Sequence, residues 1–182
     1  SSTWTSPTYD DFTIAFWYKS GQTTPTDDQY VFVDGDITIT HGIMCGISDD
    51  VGHVGEVRFY LRNGSSISKY NGINVMDQTW NYIVCQRSGS DIIFFTNGTR
   101  TTDGTFSNSI TPSSGHTFIG DEPGATEQVN GSIDEVRIYN RALSPGEVRD
   151  LYNFAPGPVG WWKMDEKVSG TGQTINDSSG YG

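Results

Sequence analysis

Gly131-Ser-Ile-Asp-Glu-Val-Arg-Ile-Tyr-Asn-Arg-Ala-Leu-Ser144 runs directly into Pro145-Gly-Glu-Val-Arg-Asp-Leu-Tyr-Asn153, and the two pieces read as one strand followed by one helix. By period, Asp134, Val136 and Ile138 share one face of the strand, while Ile133, Glu135, Arg137 and Tyr139 share the other. That alternation predicts a carboxylate on the apolar face. A buried Asp is costly without donors, a cation or a metal, so Asp134 is expected to have a partner. Ser144 as N-cap, Pro145 at the first helical position and Glu147 three residues after Ser144 form a capping box. Val148, Leu151 and Tyr152 give the helix, expected near 145–152, its apolar stripe.

Upstream, the chain reads as short strands and turns. Phe12 to Lys19 is apolar on both faces, which predicts a strand with neighbours on either side. Tyr30 to Val33 and Ile37 to Thr40 flank Asp34-Gly-Asp36, a hairpin signal. Val57, Phe59 and Leu61 alternate with Arg58, Tyr60 and Arg62, which predicts a half-buried strand whose outer face is basic and aromatic. Trp80 to Arg87 and Ile92 to Thr96 are further strands, and Asn97-Gly98 is the strongest two-residue hairpin signal in the chain. Thr99 to Ile110 reads as an edge strand or a long loop, and His116 to Gly120 as a last short strand before the opening stretch.

These segments resemble the LamG-like jelly-roll family, the laminin G type 3 branch of the concanavalin A-like lectin and glucanase fold. Gly131 to Asn153 is similar to its C-terminal signature, and Phe12 to Lys19, Trp80 to Val84 and Ile93 to Gly98 match in the expected order. The resemblance implies an all-β, antiparallel two-sheet sandwich of jelly-roll type with one short helix, in which Trp17 is structural. It specifies fold rather than ligand, because this scaffold hosts lectins, adhesins, spacers and glycosidases.

Composition narrows the partners. The chain has 182 residues, a length that suits one sandwich domain. Its formal net charge of −11 argues against nucleic acid and anionic membrane surfaces as partners. No apolar run approaches the roughly 20 residues needed to span a bilayer. The opening Ser-Ser-Thr-Trp without Met predicts a piece excised from a longer, secreted or cell-surface protein. Cys45 and Cys85 lack metal-type spacing; they are either two buried core thiols or a disulfide between neighbouring strands.

Residues 1–155 are expected to form the body of the domain. After Pro156-Gly-Pro158, Val159 to Glu166 and Asn176 to Gly182 resemble the way domains of the same family begin. Residues 156–182 are therefore either the opening of a following repeat or a permuted or swapped strand that completes the sandwich in cis or in a strand-swapped oligomer.

Three kinds of site were weighed. Related glucanases carry Glu-x-Asp-x-(x)-Glu on one strand; here Ser132 and Val136 or Arg137 stand where the glutamates would be, and no other catalytic motif is present, so no enzyme activity is expected. The resemblance implies a structural Ca2+ where the opening segment meets the last strand, with Asp134, Asp165 and Asp177 as ligands. The competing reading pairs Asp134 with Arg137, Arg141 or backbone amides. A sugar needs aromatic rings beside hydrogen-bonding groups, which nominates Tyr30, Arg58, Tyr60, Arg62 and Tyr70, with Trp4 as an outsider. The function expected is carbohydrate or glycan binding in adhesion, alongside adjacent repeats of a parent protein; the alternative is a structural spacer without a small ligand.

Overall fold

In the computed structural model, the described residues are 11–35, 41–63, 66–110, 116–121 and 128–154. Ten strands and one helix follow in order: β1 (Phe12–Ser20), β2 (Gln29–Gly35), β3 (His41–Ile47), β4 (Glu56–Asn63), β5 (Ser66–Asn74), β6 (Trp80–Ser88), β7 (Asp91–Thr96), β8 (Thr99–Thr105), β9 (His116–Ile119), β10 (Gly131–Tyr139) and α1 (Pro145–Phe154). They form two five-stranded antiparallel sheets, β10-β1-β6-β7-β8 and β5-β4-β3-β2-β9. This is the jelly-roll sandwich expected, with the short helix where the capping box puts it. Ile37–Thr40, one arm of the expected hairpin, lies outside the described residues, as do residues 155–182; the strand that pairs with β2 is β3.

Alternation builds the core. Phe12, Ile14, Phe16 and Tyr18 of β1 face Phe32, Cys45, Phe59 and Leu61 of the second sheet, all buried. The other face of β1 carries Ala15 and Trp17, which pack with Tyr82, Val84 and Phe95 under Leu143, Val148, Leu151 and Tyr152 of the helical segment. Trp17 and Tyr152 stack at 5.7 Å between ring centroids. Both faces of β1 are thus covered, which is why its sequence is apolar throughout. The capping box closes as expected: the Ser144 amide donates to Glu147 Oε2 at 2.8 Å, and the Glu147 amide donates to Ser144 Oγ at 3.3 Å.

One strand departs from its period. The register of β10 steps from Arg137 opposite Ala15 to Asp134 opposite Trp17, so three residues of β10 span two of β1. Glu135 takes up the slack in the left-handed region, with φ at 51°. The bulge turns Ile133, Val136 and Ile138 toward the inter-sheet core and leaves Asp134 exposed beside Trp17. Asp134 therefore does not share a face with Val136 and Ile138, and the expectation of a carboxylate on the apolar face is corrected.

The cysteine alternatives are also redrawn. Cys45 and Cys85 are free, buried thiols. They belong to β3 and β6, in different sheets, so they are not on neighbouring strands.

The loops at residues 21–28, 48–55 and 75–79 gather at one end of the sandwich, because Ser20 pairs with Gly131, Gln29 with Ile47, Glu56 with Asn74 and Lys19 with Trp80.

Candidate functional site

At that end, the outer face of the second sheet is organised by Arg58. Val57, Phe59 and Leu61 of β4 point into the core, so Arg58 and Tyr60 must point away from it. They are nevertheless buried, with Arg58 0% and Tyr60 4% exposed. A solvated basic and aromatic face was expected; loops and neighbouring side chains cover it instead. A buried guanidinium needs anions, and two adjacent loops supply them. Arg58 Nη1 donates to Asp28 Oδ1 at 2.6 Å and to the Tyr60 hydroxyl at 3.0 Å. Arg58 Nη2 meets Asp50 Oδ2 at 2.6 Å and also donates to Ser48 Oγ. Its Nε is buried without a hydrogen-bond partner among the described residues.

The rings complete the cluster. Tyr60 lies between two cations, with the Arg58 guanidinium 5.3 Å and that of Arg62 5.9 Å from its centroid. Tyr30 meets Tyr60 edge-on at 6.3 Å, and its hydroxyl is 3.5 Å from Asp28 Oδ2. Four of the five residues nominated for sugar binding, Tyr30, Arg58, Tyr60 and Arg62, are therefore brought together. The fifth, Tyr70, stands opposite Phe59 in the backbone register of β4 and β5, and its side chain lies outside the described part of the structure. Trp4 lies outside the described residues.

The solvent side of the cluster is acidic. Asp28 is 14% and Asp50 44% exposed, and the Asp49 amide donates to Asp28 Oδ1 at 3.0 Å. A hydrogen bond to the Asp28 carboxyl pushes the Asp49 carboxyl above its ordinary value, with the Arg58 charge opposing. What the mouth offers is a row of hydrogen-bond acceptors held in place from below. These carboxylates were not nominated from the sequence. The signal was the pair of doublets, Asp27-Asp28 and Asp49-Asp50, in loops flanking the strand that carries Arg58.

A further exposed ring sits at the same end. Trp80, the first residue of β6 opposite Lys19, is 43% exposed. Sequence alternation grouped it with the packed Tyr82 and Val84, but it lies beyond the reach of α1.

Of the three residues nominated for calcium, Asp134 lies among the described residues. Asp134 accepts the Glu135 amide at 2.8 Å, while Arg137 pairs with Glu135 and Arg141 with Glu147. Asp165 and Asp177 lie outside the described residues. Among the described residues, no group of three or more His, Cys, Asp or Glu side chains is arranged to hold a metal.

Solved structures share this architecture. Domain 4 of AbnA, an extracellular GH43 arabinanase from Geobacillus stearothermophilus solved with arabinotriose, is 22% identical with a TM-score of 0.62 over 80% of this chain and 70% of its own. A Bacteroides ovatus protein proposed to bind carbohydrate is 15% identical with a TM-score of 0.66, over 99% of this chain and 52% of its own. The binding domain of Paraclostridial Mosquitocidal Protein 1 is 19% identical with a TM-score of 0.61, over 85% of this chain and 39% of its own. The chain thus spans well under two thirds of two of these three relatives, and at such identities the likeness is one of fold. No curated protein sequence matches. The model of the concanavalin A-like lectin/glucanases superfamily in its laminin G type 3 form matches residues 2–149, and together with the two-sheet topology this places the chain in that family.

Proposed function

We propose that the chain is a non-catalytic module that binds a neutral glycan at the loop-bearing end of the second sheet. The observation that carries this reading is the pair of acceptors Asp28 and Asp50, both ion-paired to the buried Arg58, with the Asp49 amide bonded to Asp28. Sugar hydroxyls are donors, and carboxylates held rigidly lose little entropy on receiving them. The doublets Asp27-Asp28 and Asp49-Asp50 outnumber Arg58 and Arg62 at the mouth, and the chain carries −11 overall, so acidic glycans are repelled.

The test is a titration of neutral and acidic oligosaccharides of equal length against the wild-type chain and Asp50→Ala. Neutral ligands should bind, acidic ones should not, and the substitution should weaken binding by tenfold or more, roughly one lost charge-assisted hydrogen bond. Preferential binding of acidic glycans, or an unchanged Asp50→Ala, would sink the assignment.

One observation favours the spacer reading instead. Tyr30 and Tyr60, the rings nominated as a platform, are only 8% and 4% exposed. A wild-type chain that binds nothing on a broad glycan array would make the module a spacer between neighbouring repeats.

The wider setting belongs to the same proposal: a secreted or cell-surface adhesion protein with adjacent repeats. No described helix is long and apolar enough to cross a membrane. Calcium support through Asp134, Asp165 and Asp177 predicts a higher melting temperature with calcium than with chelator, lost in Asp134→Asn. Identical melts in the two conditions would remove calcium from the account.

A further inference from the structure

The chain has two cysteines, and the fold brings them together from opposite sheets. On β3, Cys45 stands opposite Phe32 and Phe59, both core-facing. On β6, Cys85 stands opposite Ile14 and Phe94, which also face the core. Each thiol is 0% exposed. Both side chains enter the same core cluster, where Phe59 beside Cys45 meets Phe94 beside Cys85 edge-on across the sheets at 6.2 Å between ring centroids, and burial together with the neighbouring Cys85 thiol raises the Cys45 thiol well above its ordinary range.

This arrangement differs from two thiols that happen to be buried. Packed sheets lie about 10 Å apart, and Cys side chains are short. Facing positions on the two inner faces let these side chains reach toward each other, and a bridge between them would draw the sheets together at this point. Immunoglobulin domains likewise join their two sheets by a disulfide through the core.

We propose that Cys45 and Cys85 form an inter-sheet disulfide when the chain folds in the presence of a disulfide oxidant such as oxidised glutathione. One cysteine thiolate attacks the oxidant disulfide, forming a mixed disulfide and releasing one glutathione thiolate. The second cysteine thiolate attacks the protein-side sulfur, forming the bridge and releasing the other. Two S–H bonds of the protein are lost and one S–S bond is gained. The two electrons given up by the cysteines reduce the oxidant to two glutathione molecules, which also carry away both protons.

Burial sets when this happens. Neither oxidant nor reductant reaches a sulfur with no exposed surface, so the bridge forms before the sheets close and persists afterwards. The protein thus has two long-lived forms, fixed by the conditions of its folding.

The experiment is to unfold and reduce the whole chain, then refold it with excess oxidised glutathione or with a reductant alone, following circular dichroism to establish that both products fold. The glutathione product should be lighter than the reduced one by two hydrogen atoms. It should show no thiol on titration in denaturant, yield a linked peptide pair containing Cys45 and Cys85, and unfold at higher denaturant concentration. The reduced product should resist alkylation until it is unfolded. Cys45→Ser should unfold at the same denaturant concentration after either treatment. Two free thiols, two glutathione adducts, a dimer linked between chains, or a bridge present only in a product without native circular dichroism would each overturn the proposal.

Discussion

Arg58 and Asp28 meet at 2.6 Å between Nη1 and Oδ1, the guanidinium wholly buried and the carboxylate nearly so. The pair ties the outer face of β4 to the loop before β2, thirty residues away in the chain. Removing one partner of such a pair leaves a buried charge unpaired, which costs about 3 to 5 kcal/mol. Arg58→Met should therefore lower stability by roughly that amount in denaturant unfolding. Adding Asp28→Asn should recover part of the loss, because the stranded charge is then gone. Arg58→Lys should rescue little, since an ammonium cannot fork between Asp28 and Asp50. Asp50 is 44% exposed, so Asp50→Asn should cost under about 1 kcal/mol. Equal losses for Arg58→Met and Asp50→Asn would mean the pair is not organised around the guanidinium.

Tyr82 carries the opposite defect. Its ring packs against both Trp17 and Tyr152, at centroid distances of 5.3 and 6.2 Å, and is 1% exposed, yet its hydroxyl has no hydrogen-bond partner among the described residues. Burial pushes that hydroxyl up to about 12. A buried unsatisfied hydroxyl costs about 1 to 3 kcal/mol, so Tyr82→Phe should raise stability by roughly 1 kcal/mol while keeping the ring stack. A loss of stability in equilibrium unfolding would show that the hydroxyl is bonded in solution.

Gly98 is held by geometry rather than by a bond. The Asn97-Gly98 turn joining β7 to β8 uses left-handed φ values of 51° and 75°. A methyl on Gly98 would also lie 3.1 Å from Tyr152 Cδ1, so the turn and the helix meet there. Gly98→Ala should cost about 1 to 2 kcal/mol from backbone alone and more if the Tyr152 ring cannot yield. The near-ultraviolet circular dichroism of the Trp17–Tyr152 stack should change with it; an unchanged spectrum and melt would show the turn has room.

The contrast between these sites explains what could be read from the chain. Turn chemistry at Asn97-Gly98 and the Ser144 to Glu147 box are local, so their residues are contiguous and the fold could only confirm them. Alternation in β4 was equally plain. The bulge at Glu135 was not, because a glutamate at φ 51° carries no compositional mark, and one added residue reverses every face assignment upstream of it. The burial of Arg58 was hidden for another reason: its anions come from loops at 21–28 and 48–55, and alternation says which way a side chain points without saying what will cover it. Likewise, nothing in the spacing of Cys45 and Cys85 assigns them to different sheets.

Acid should weaken the helix cap. Arg141 donates to Glu147 at 2.6 Å and the Ser144 amide at 2.8 Å, and these bonds, with the arginine the larger cause, pull the Glu147 carboxyl from 4.5 down to about 2. As pH falls below 4.5, the unfolded chain takes up a proton at this position that the folded chain refuses. The unfolded state then binds more protons, and stability declines until the folded carboxyl titrates too, near 2. The contribution of Glu147 is thus fully present above about 4.5 and gone below about 2. Glu147→Gln should remove this part of the acid sensitivity, so the melting temperatures of wild type and variant should converge between pH 5 and pH 2. Because Val148 and Leu151 of the capped turn cover the outer face of the first sheet, the fluorescence of Trp17 beneath Tyr152 should report the same transition. Parallel melting curves across that range would show that the box contributes no charge-dependent stability.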